Sequence, residues 1–207
     1  RNGKTARDTR VRGNETMPTK VKFDPKNKEL LVSRDRRNAL DVYKLLRIFP
    51  IVSHHVVADI GCGAGFFTIP IAKMVFDGKV YALDVQKEML DATQEALDAM
   101  RLTNTEVTLS KENKLPLDDE ILDGALASFV LQEARNPATL LKEARRCLKS
   151  SGWLVILEWH KREMEEGPPL SQRISEDELR AMTDKLGFRF RALRNMNGNQ
   201  YMMLVRK

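Results

Sequence analysis

Short runs of consecutive apolar residues alternate along this chain with longer segments whose apolar residues recur every three or four positions. Uninterrupted runs are typical of strands buried on both faces, and the longer spacing is typical of amphipathic helices. The alternation begins at about residue 41, and its strand-like runs are residues 55–60, 79–85, 106–110, 123–131 and 153–159. Five strands that alternate with helices predict a parallel sheet with helices on both faces.

The segments between these runs carry helix signals. Helices are predicted over residues 41–49, 66–76 and 88–100, and the apolar face of the last consists of Leu90, Thr93, Leu97 and Met100. Asn136 followed by Pro137 predicts the start of another helix, because asparagine caps helices and proline suits the first helical position. Ser175 and Glu178 have capping-box spacing, and Gly187 is the predicted end of that helix.

Two strand-like segments, residues 188–196 and 200–207, flank Asn197-Gly198. This dipeptide favours a tight turn between antiparallel strands. The last strand is therefore expected to run antiparallel to the others. The predicted fold class is α/β, with a doubly wound and mostly parallel sheet.

Composition narrows the class of protein. The chain has 207 residues, of which 42% are hydrophobic and 31% charged, as expected of one domain with a sizeable core. Its two cysteines are too few for a disulfide framework or a cysteine-based zinc site, and its three histidines lack metal-ligand spacing. Charges interrupt every apolar run well before about 18 residues, so no membrane span is predicted. A cytoplasmic location and no metal are the expectations.

Half of the net charge of +6 lies in residues 1–16, which contain five basic and two acidic residues. Met17-Pro18 resembles a natural start. Residues 1–16 are therefore interpreted as a disordered or vector-derived leader, and residues 17–207 as a single domain. A basic arm that binds nucleic acid is the less favoured alternative.

Three glycines, Gly61, Gly63 and Gly65, lie in the stretch ADIGCGAGFF between the first predicted strand and a helix. Ligands of such sheets bind beyond the carboxyl ends of the strands, and glycines let a flat ligand approach the backbone there. A dinucleotide fingerprint requires G-x-G-x-x-G, whereas here the third glycine comes one residue early. This spacing disfavours a nicotinamide-dependent oxidoreductase, which is kept as an alternative.

Two carboxylates accompany this glycine loop. Asp59 precedes Gly61 by two residues, where it would favour an ammonium or sulfonium group. Asp84 closes the second predicted strand, where it can accept hydrogen bonds from a ribose diol. Together they call for a ligand with a ribose, a cationic end and no phosphate, such as S-adenosylmethionine (SAM). The alternative is that both acids only cap helices.

At this point the residues resemble a family. ADIGCGAGFFT is similar to the first motif of the class I SAM-dependent methyltransferases, VYALDV to their second, and KENKLPLDDEILDGALASFVLQE to their third and fourth strands. The resemblance extends from about Phe23 to the C-terminus and is strongest to small quinone-biosynthesis-type members. It implies a Rossmann-like, seven-stranded sheet with an antiparallel seventh strand, and SAM as the cofactor.

The resemblance also implies roles for single residues. The methionine part of SAM would lie against Asp59, Gly61, Cys62 and Gly63, the ribose against Asp84, and the adenine against Val85. The family often places an acid after the third strand to meet the adenine amino group. Lys111 falls at that position here, so the prediction moves to Glu112 and the adjacent Asn113.

Candidates for chemistry lie where the fourth and fifth strands end. They are Gln132, Glu133, Glu158 and His160, and the prediction assigns catalysis to Glu158 and His160. The favoured alternative is that Glu158 forms an ion pair and His160 is a solvated loop residue. Arg34, Arg36 and Arg37 are interpreted first as a solvated face, and second as a group that closes over the site.

The predicted function is transfer of the SAM methyl group to a small-molecule acceptor. The tetrapeptide that amino-methylating nucleic-acid enzymes carry after the fourth strand is absent, since the position reads SFVL. The remaining alternatives are a nucleic-acid methyltransferase that uses the basic arm, and a non-catalytic SAM-binding protein. Neither the acceptor nor the oligomeric state follows from the sequence.

Overall fold

The computed structural model describes residue 20 and residues 22–207, so the expected leader at residues 1–16 lies outside the described residues. The strands are β1 Val56–Ile60, β2 Lys79–Asp84, β3 Thr105–Leu109, β4 Leu122–Ser128, β5 Leu148–Trp159, β6 Arg189–Asn195 and β7 Gln200–Arg206. The α-helices are α1 Arg34–Ala39, α2 Val42–Leu46, α3 Thr68–Met74, α4 Lys87–Ala99, α5 Pro137–Cys147 and α6 Glu176–Lys185. Two 3-10 helices cover Pro25–Val32 and Leu170–Gln172.

The seven strands form one sheet in the order β3-β2-β1-β4-β5-β7-β6. Every pair among β1 to β5 is parallel, whereas β7 is antiparallel to both β5 and β6. The predicted α/β class and the antiparallel last strand are confirmed. The strand order reverses between β1 and β4, which is where such sheets bind ligands.

Helices cover both faces of the sheet, and neighbouring strand residues show why. In β1, Val57 packs in the core formed with α2, α3 and part of α4, whereas Ala58 packs in the core formed with α5 and α6. Both residues are fully buried. A strand with two buried faces needs an uninterrupted apolar run, which is the pattern that the sequence shows.

Most predicted helix signals are confirmed. Asn136 caps α5 through its side chain, and Ser175 and Glu178 form the predicted capping box of α6. The prediction was wrong for Met100, which is 57% exposed. Helix α4 ends at Ala99, so Met100 no longer follows the helical face.

Strand and helix ends differ more from the prediction. Strand β4 ends at Ser128, three residues early, because Phe129 adopts a left-handed backbone with φ of 59°. The first 3-10 helix and α1 were not predicted at all. Neither contains a buried residue, so neither has the apolar periodicity that sequence analysis relies on.

Within the described residues, no helix is both long enough and apolar enough to cross a membrane. The same part of the chain contains no group of three metal-ligating side chains.

Candidate functional site

A cavity of about 780 Å³ opens where the parallel strands end. Ile60, Asp84, Ser128 and Trp159, at or next to the ends of β1, β2, β4 and β5, all line it. Residues from the first 3-10 helix, α1 and the β6–β7 turn complete the walls. The volume lies within the range of about 300–1,000 Å³ that is typical of small-molecule sites.

The glycine loop forms one wall of this cavity. Gly61, Gly63 and Gly65 have φ values of 74°, 54° and 84°, a backbone region that side chains disfavour. A Cβ on Gly61 would lie 2.7 Å from Cγ2 of Val130. The Gly61 amide donates to the carbonyl of Leu83 at 2.8 Å, which ties the loop to the end of β2. The loop therefore needs glycine for both conformation and space.

Asp84 stands between the glycine loop and the turn after β2. One carboxylate oxygen accepts from the Gly63 amide and the other from the Gln86 amide, each at 2.9 Å. Burial raises the pKa of Asp84, and these two hydrogen bonds oppose the rise. Each carboxylate oxygen has a second lone-pair position, so the oriented carboxylate can accept further hydrogen bonds from a ligand in the cavity.

Asp59 is a buried carboxylate directly before the glycine loop, with 1% exposure. Thr68 donates its hydroxyl to Oδ2 at 2.6 Å, whereas Oδ1 has no partner among the residues that the structure describes. Burial raises the pKa of Asp59 to about 7, although the Thr68 hydrogen bond opposes this. A buried carboxylate with an unpartnered oxygen is suited to a cationic ligand group.

Two of the three residues expected to contact the adenine line the cavity. Val85 and Glu112 line the cavity, and Asn113 is not among the lining residues of the described chain. The Glu112 carboxylate lies 3.1 Å from Lys22 Nζ and also accepts the amide of Arg135. Each of its oxygens thus has a protein partner, as in Asp84. The adenine contact of Glu112 and Asn113 stays a prediction.

Glu158 and His160 do not line the cavity of the described chain. Glu158 is fully buried and accepts from the amides of Leu131 at 3.0 Å and Gln132 at 3.4 Å. Burial raises its pKa to about 8, because those two bonds offset the desolvation only in part. His160 Nδ1 lies 2.5 Å from Glu176 Oε1. Their predicted catalytic role stays a prediction.

Two aromatic side chains form another part of the cavity wall. The rings of Phe129 and Trp159 have centroids 6.1 Å apart, and both residues line the cavity. Gly167, with φ of 95°, lies so close that a Cβ would be 2.7 Å from the Trp159 ring. Phe129 reaches the cavity through its left-handed backbone, a conformation that no pattern in the sequence signals.

Arg173 supports the loop that carries Gly167. It is 5% exposed, and its guanidinium donates to the carbonyls of Arg162, Glu166 and Pro168, each at 2.8 Å. A planar fork of donors thus satisfies carbonyls of a loop that lacks regular hydrogen bonding. Hydrogen bonds within the chain therefore hold the wall beside Trp159.

Comparison with known proteins agrees with this geometry. A family described as a methyltransferase domain matches residues 58–156. A SAM-dependent methyltransferase from Aquifex aeolicus, known from its crystal structure, is 34% identical to this chain, with a TM-score of 0.85. The alignment covers 89% of this chain and 99% of that one. The chain belongs to the SAM-dependent methyltransferases. The predicted family and its cofactor, SAM, are thereby confirmed.

Other relatives of this methyltransferase chain match over shorter stretches. Demethylmenaquinone methyltransferase from Bacillus mycoides (strain KBAB4) is 31% identical over 55% of this chain and 48% of its own length. The biotin biosynthesis bifunctional protein BioHC from Teredinibacter turnerae is 31% identical, but the match covers 18% of its length. This chain thus spans about half, or less, of these curated relatives.

The [4+2]-cyclase SpnF shares the fold, with a TM-score of 0.71 over 80% of this chain and 79% of its own. At 17% identity this likeness concerns the fold alone.

The residues of this methyltransferase site fit SAM. The unpartnered oxygen of Asp59 suits the ammonium group, the free lone pairs of Asp84 suit the ribose hydroxyls, and the glycine backbone leaves room between them. The glycine loop, Asp84, Phe129 and Trp159 all line the cavity, whereas Asp59, directly before the loop, is not among the lining residues of the described chain. The cavity thus combines the glycine loop and a buried carboxylate with aromatic side chains.

Proposed function

We propose that this chain transfers the methyl group of SAM to a small molecule with a flat, apolar body. The observation that carries the proposal is the single cavity that joins the glycine loop and Asp84 to the aromatic wall of Phe129 and Trp159. Flat aromatic walls favour stacking with flat ligands.

The proposed roles follow the chemistry of each group. Asp59 pairs with the ammonium of the cofactor, and the backbone of Gly61, Cys62 and Gly63 lies against its methionine part. Asp84 accepts hydrogen bonds from the ribose. Val85 packs on the adenine, with Glu112 and Asn113 nearest its amino edge. Burial strengthens the Asp59 and Asp84 interactions, since both carboxylates are shielded from water.

When bound, SAM supplies an electrophilic methyl group. The residues of the chain then act by holding the two molecules in line and excluding water, which can account for much of the acceleration. Glu158 serves as a positioning residue, because its hydrogen bonds to the amides of Leu131 and Gln132 fix the turn that follows β4. That turn contributes Phe129 and Gln132 to the cavity wall.

A quinone-like ring is the acceptor class that we favour. Demethylmenaquinone methyltransferases are among the relatives, and the aromatic wall suits a flat ring. Gln200 lies beside Trp159 in the pairing of β5 with β7, and it also lines the cavity. Its amide offers a hydrogen-bonding partner for the oxygen of such a ring.

The direct test uses SAM labelled in its methyl group, incubated with the protein and a set of hydroxylated benzoquinones, naphthoquinones and small phenols. Label should move to a ring-bearing product. Asp84→Ala should weaken S-adenosylhomocysteine binding by about 1–3 kcal/mol in calorimetry, because the ribose loses its acceptor. Asp91→Ala is the matched control, since Asp91 is an exposed residue of α4.

Tight binding of NAD without heat from SAM would instead favour the oxidoreductase alternative. Binding of SAM without transfer to any acceptor class would favour a non-catalytic SAM-binding protein. Unchanged affinity in Asp84→Ala would contradict the role proposed for this carboxylate.

A further inference from the structure

Arg36 brings a positive charge into the cavity, and the proposed function gives it no role so far. It belongs to α1, whose neighbouring arginines Arg34 and Arg37 are exposed. Arg36 instead lines the cavity, with its guanidinium carbon 4.8 Å from the centre of the Phe66 ring and 5.6 Å from that of Phe129. The interpretation of all three arginines as a solvated face therefore fails for Arg36.

The Arg36 guanidinium lacks a partner in the described part of the chain. No oxygen there accepts a hydrogen bond from it, and no carboxylate oxygen lies within 4.0 Å. Burial lowers the pKa of Arg36 to about 10, although the charge of Asp59 opposes this. A guanidinium has five N–H donors, and leaving them unsatisfied in a shielded place is unfavourable. The arrangement calls for an anion from outside the chain.

The charges in the cavity also indicate that an anion binds beside Arg36. The proposed cofactor carries a sulfonium, an ammonium and a carboxylate group, and an unpaired guanidinium nearby would repel the first two. An anion between them removes that conflict. Two lysines of the described chain also line the cavity, but neither has the position of Arg36. Lys22 is already paired with Glu112, and Lys111 follows β3 at the far edge of the parallel strands.

We propose that Arg36 binds a carboxylate in this cavity through paired, charge-assisted hydrogen bonds. Planar guanidinium groups match carboxylates in this way, and the faces of Phe66 and Phe129 hold the group in place. Two molecules can supply the carboxylate: the cofactor, through its amino-acid end, or an acceptor that bears an acid group. In the first case Asp59 and Arg36 together recognise the two opposite charges of that end.

The first arm of the test compares two nucleosides. S-adenosylhomocysteine has the amino-acid end, and 5′-methylthioadenosine lacks it. If the cofactor supplies the carboxylate, Arg36→Met should weaken S-adenosylhomocysteine binding by about ten- to a hundredfold in calorimetry and leave 5′-methylthioadenosine unchanged. Arg36→Lys should fall between, because lysine keeps the charge and loses the planar fork.

The second arm tests the acceptor as the source, with benzoate added to protein saturated with S-adenosylhomocysteine. If the acceptor supplies the carboxylate, Arg36→Met should abolish benzoate binding and leave both nucleosides unchanged. Arg34→Met is the matched control, because Arg34 lies on the same helix and is exposed.

A wild-type affinity for S-adenosylhomocysteine that persists in Arg36→Met, together with equal benzoate behaviour of both proteins, would overturn the proposal. An equal loss for both nucleosides would also overturn it, since the amino-acid end would then not be what Arg36 contacts. Failure of the wild-type protein to bind either nucleoside would count against the proposed function instead. Thermal unfolding of each variant without ligand shows whether it is folded.

Discussion

Two buried acidic residues lie near the carboxyl ends of strands in the sheet. Asp59 in β1 and Glu158 in β5 are both shielded from water, and burial raises the pKa of both. Asp59 contacts helix α3 through Thr68, whereas Glu158 contacts the turn after β4. Buried acids of this kind tend to occur at functional sites, where a ligand or a turn makes use of them.

Asp59 should make stability depend on pH. Its folded pKa of about 7 lies above the usual 3.8, so the folded protein keeps a proton that the unfolded chain has lost. This contribution to stability is complete below about pH 4 and is lost as the pH rises towards 7. Relative to Asp59→Asn, the wild-type free energy of unfolding should fall by up to about 1.4 kcal/mol per pH unit in that window.

Urea denaturation at pH 5, 6, 7 and 8 measures this difference. Asp91→Asn serves as the control, because Asp91 is an exposed residue of α4. A difference between Asp59→Asn and wild type that does not change with pH would refute the expectation.

Single site residues could be predicted from the sequence where a local structural requirement is met by one particular residue type. Gly61 and Asp84 could be predicted, because a loop between a strand and a helix needs glycine and a strand end can present a carboxylate. Phe129 could not, and a place for Arg36 at the site was only the second of two interpretations. Arg36 reaches the cavity by the packing of a short helix, and Phe129 by a left-handed backbone, and neither depends on a local pattern.

Among the elements, the segment between β5 and α6 is held largely by side-chain hydrogen bonds and contains little regular backbone hydrogen bonding. It begins after Trp159, contains Gly167 and the 3-10 helix Leu170–Gln172, and is held by one buried arginine. Arg173 does not itself line the cavity of the described chain, so it acts only through this segment.

Arg173→Met should loosen this segment without changing cofactor binding. The carbonyls of Arg162, Glu166 and Pro168 lose their donor, and we expect a loss of at least about 1 kcal/mol in the free energy of unfolding. Hydrogen exchange over residues 160–172 should accelerate, and S-adenosylhomocysteine affinity should stay at the wild-type value. Arg191→Met, on the exposed side of β6, is the control. Unchanged exchange in Arg173→Met would disprove the supporting role.

Helices and strands that have an apolar pattern or a capping motif of their own could be predicted from the sequence. Elements without such a pattern could not. The strands β1 and β2 follow apolar runs, and α6 follows its capping box. The 3-10 helix Pro25–Val32 and α1 bury nothing of their own. They are placed by contacts with loops distant in sequence, which no window of a single sequence contains.

For the whole molecule, the cavity depends on chain that precedes the matched methyltransferase domain. The Phe23 amide donates to Glu133 Oε2 at 3.2 Å, and Gln86 Nε2 donates to the Phe23 carbonyl at 3.1 Å. Lys22 pairs with Glu112. These contacts tie Lys22 and Phe23 to the turns after β2, β3 and β4, although the family match begins at residue 58.

Two deletion variants distinguish the contribution of residues 22–24 to ligand affinity from that of the basic residues before them. Removal of residues 1–16 should leave S-adenosylhomocysteine affinity unchanged. Removal of residues 1–24 should lower it by about tenfold, because Lys22 and Phe23 no longer cover the cavity and the Asp24 cap of the 3-10 helix is lost. Calorimetry gives both values. Equal affinities of the two shortened proteins would contradict a covering role for residues 22–24.

The position of the antiparallel strand β7 also affects the order in which the sheet can form during synthesis. It lies between β5 and β6, yet the ribosome synthesises it after both. Until residues 200–206 have emerged, β5 exposes an unpaired apolar edge that invites association with other nascent chains. Completion of this sheet therefore waits for the synthesis of residues 200–206, and until then chaperones can act at that edge.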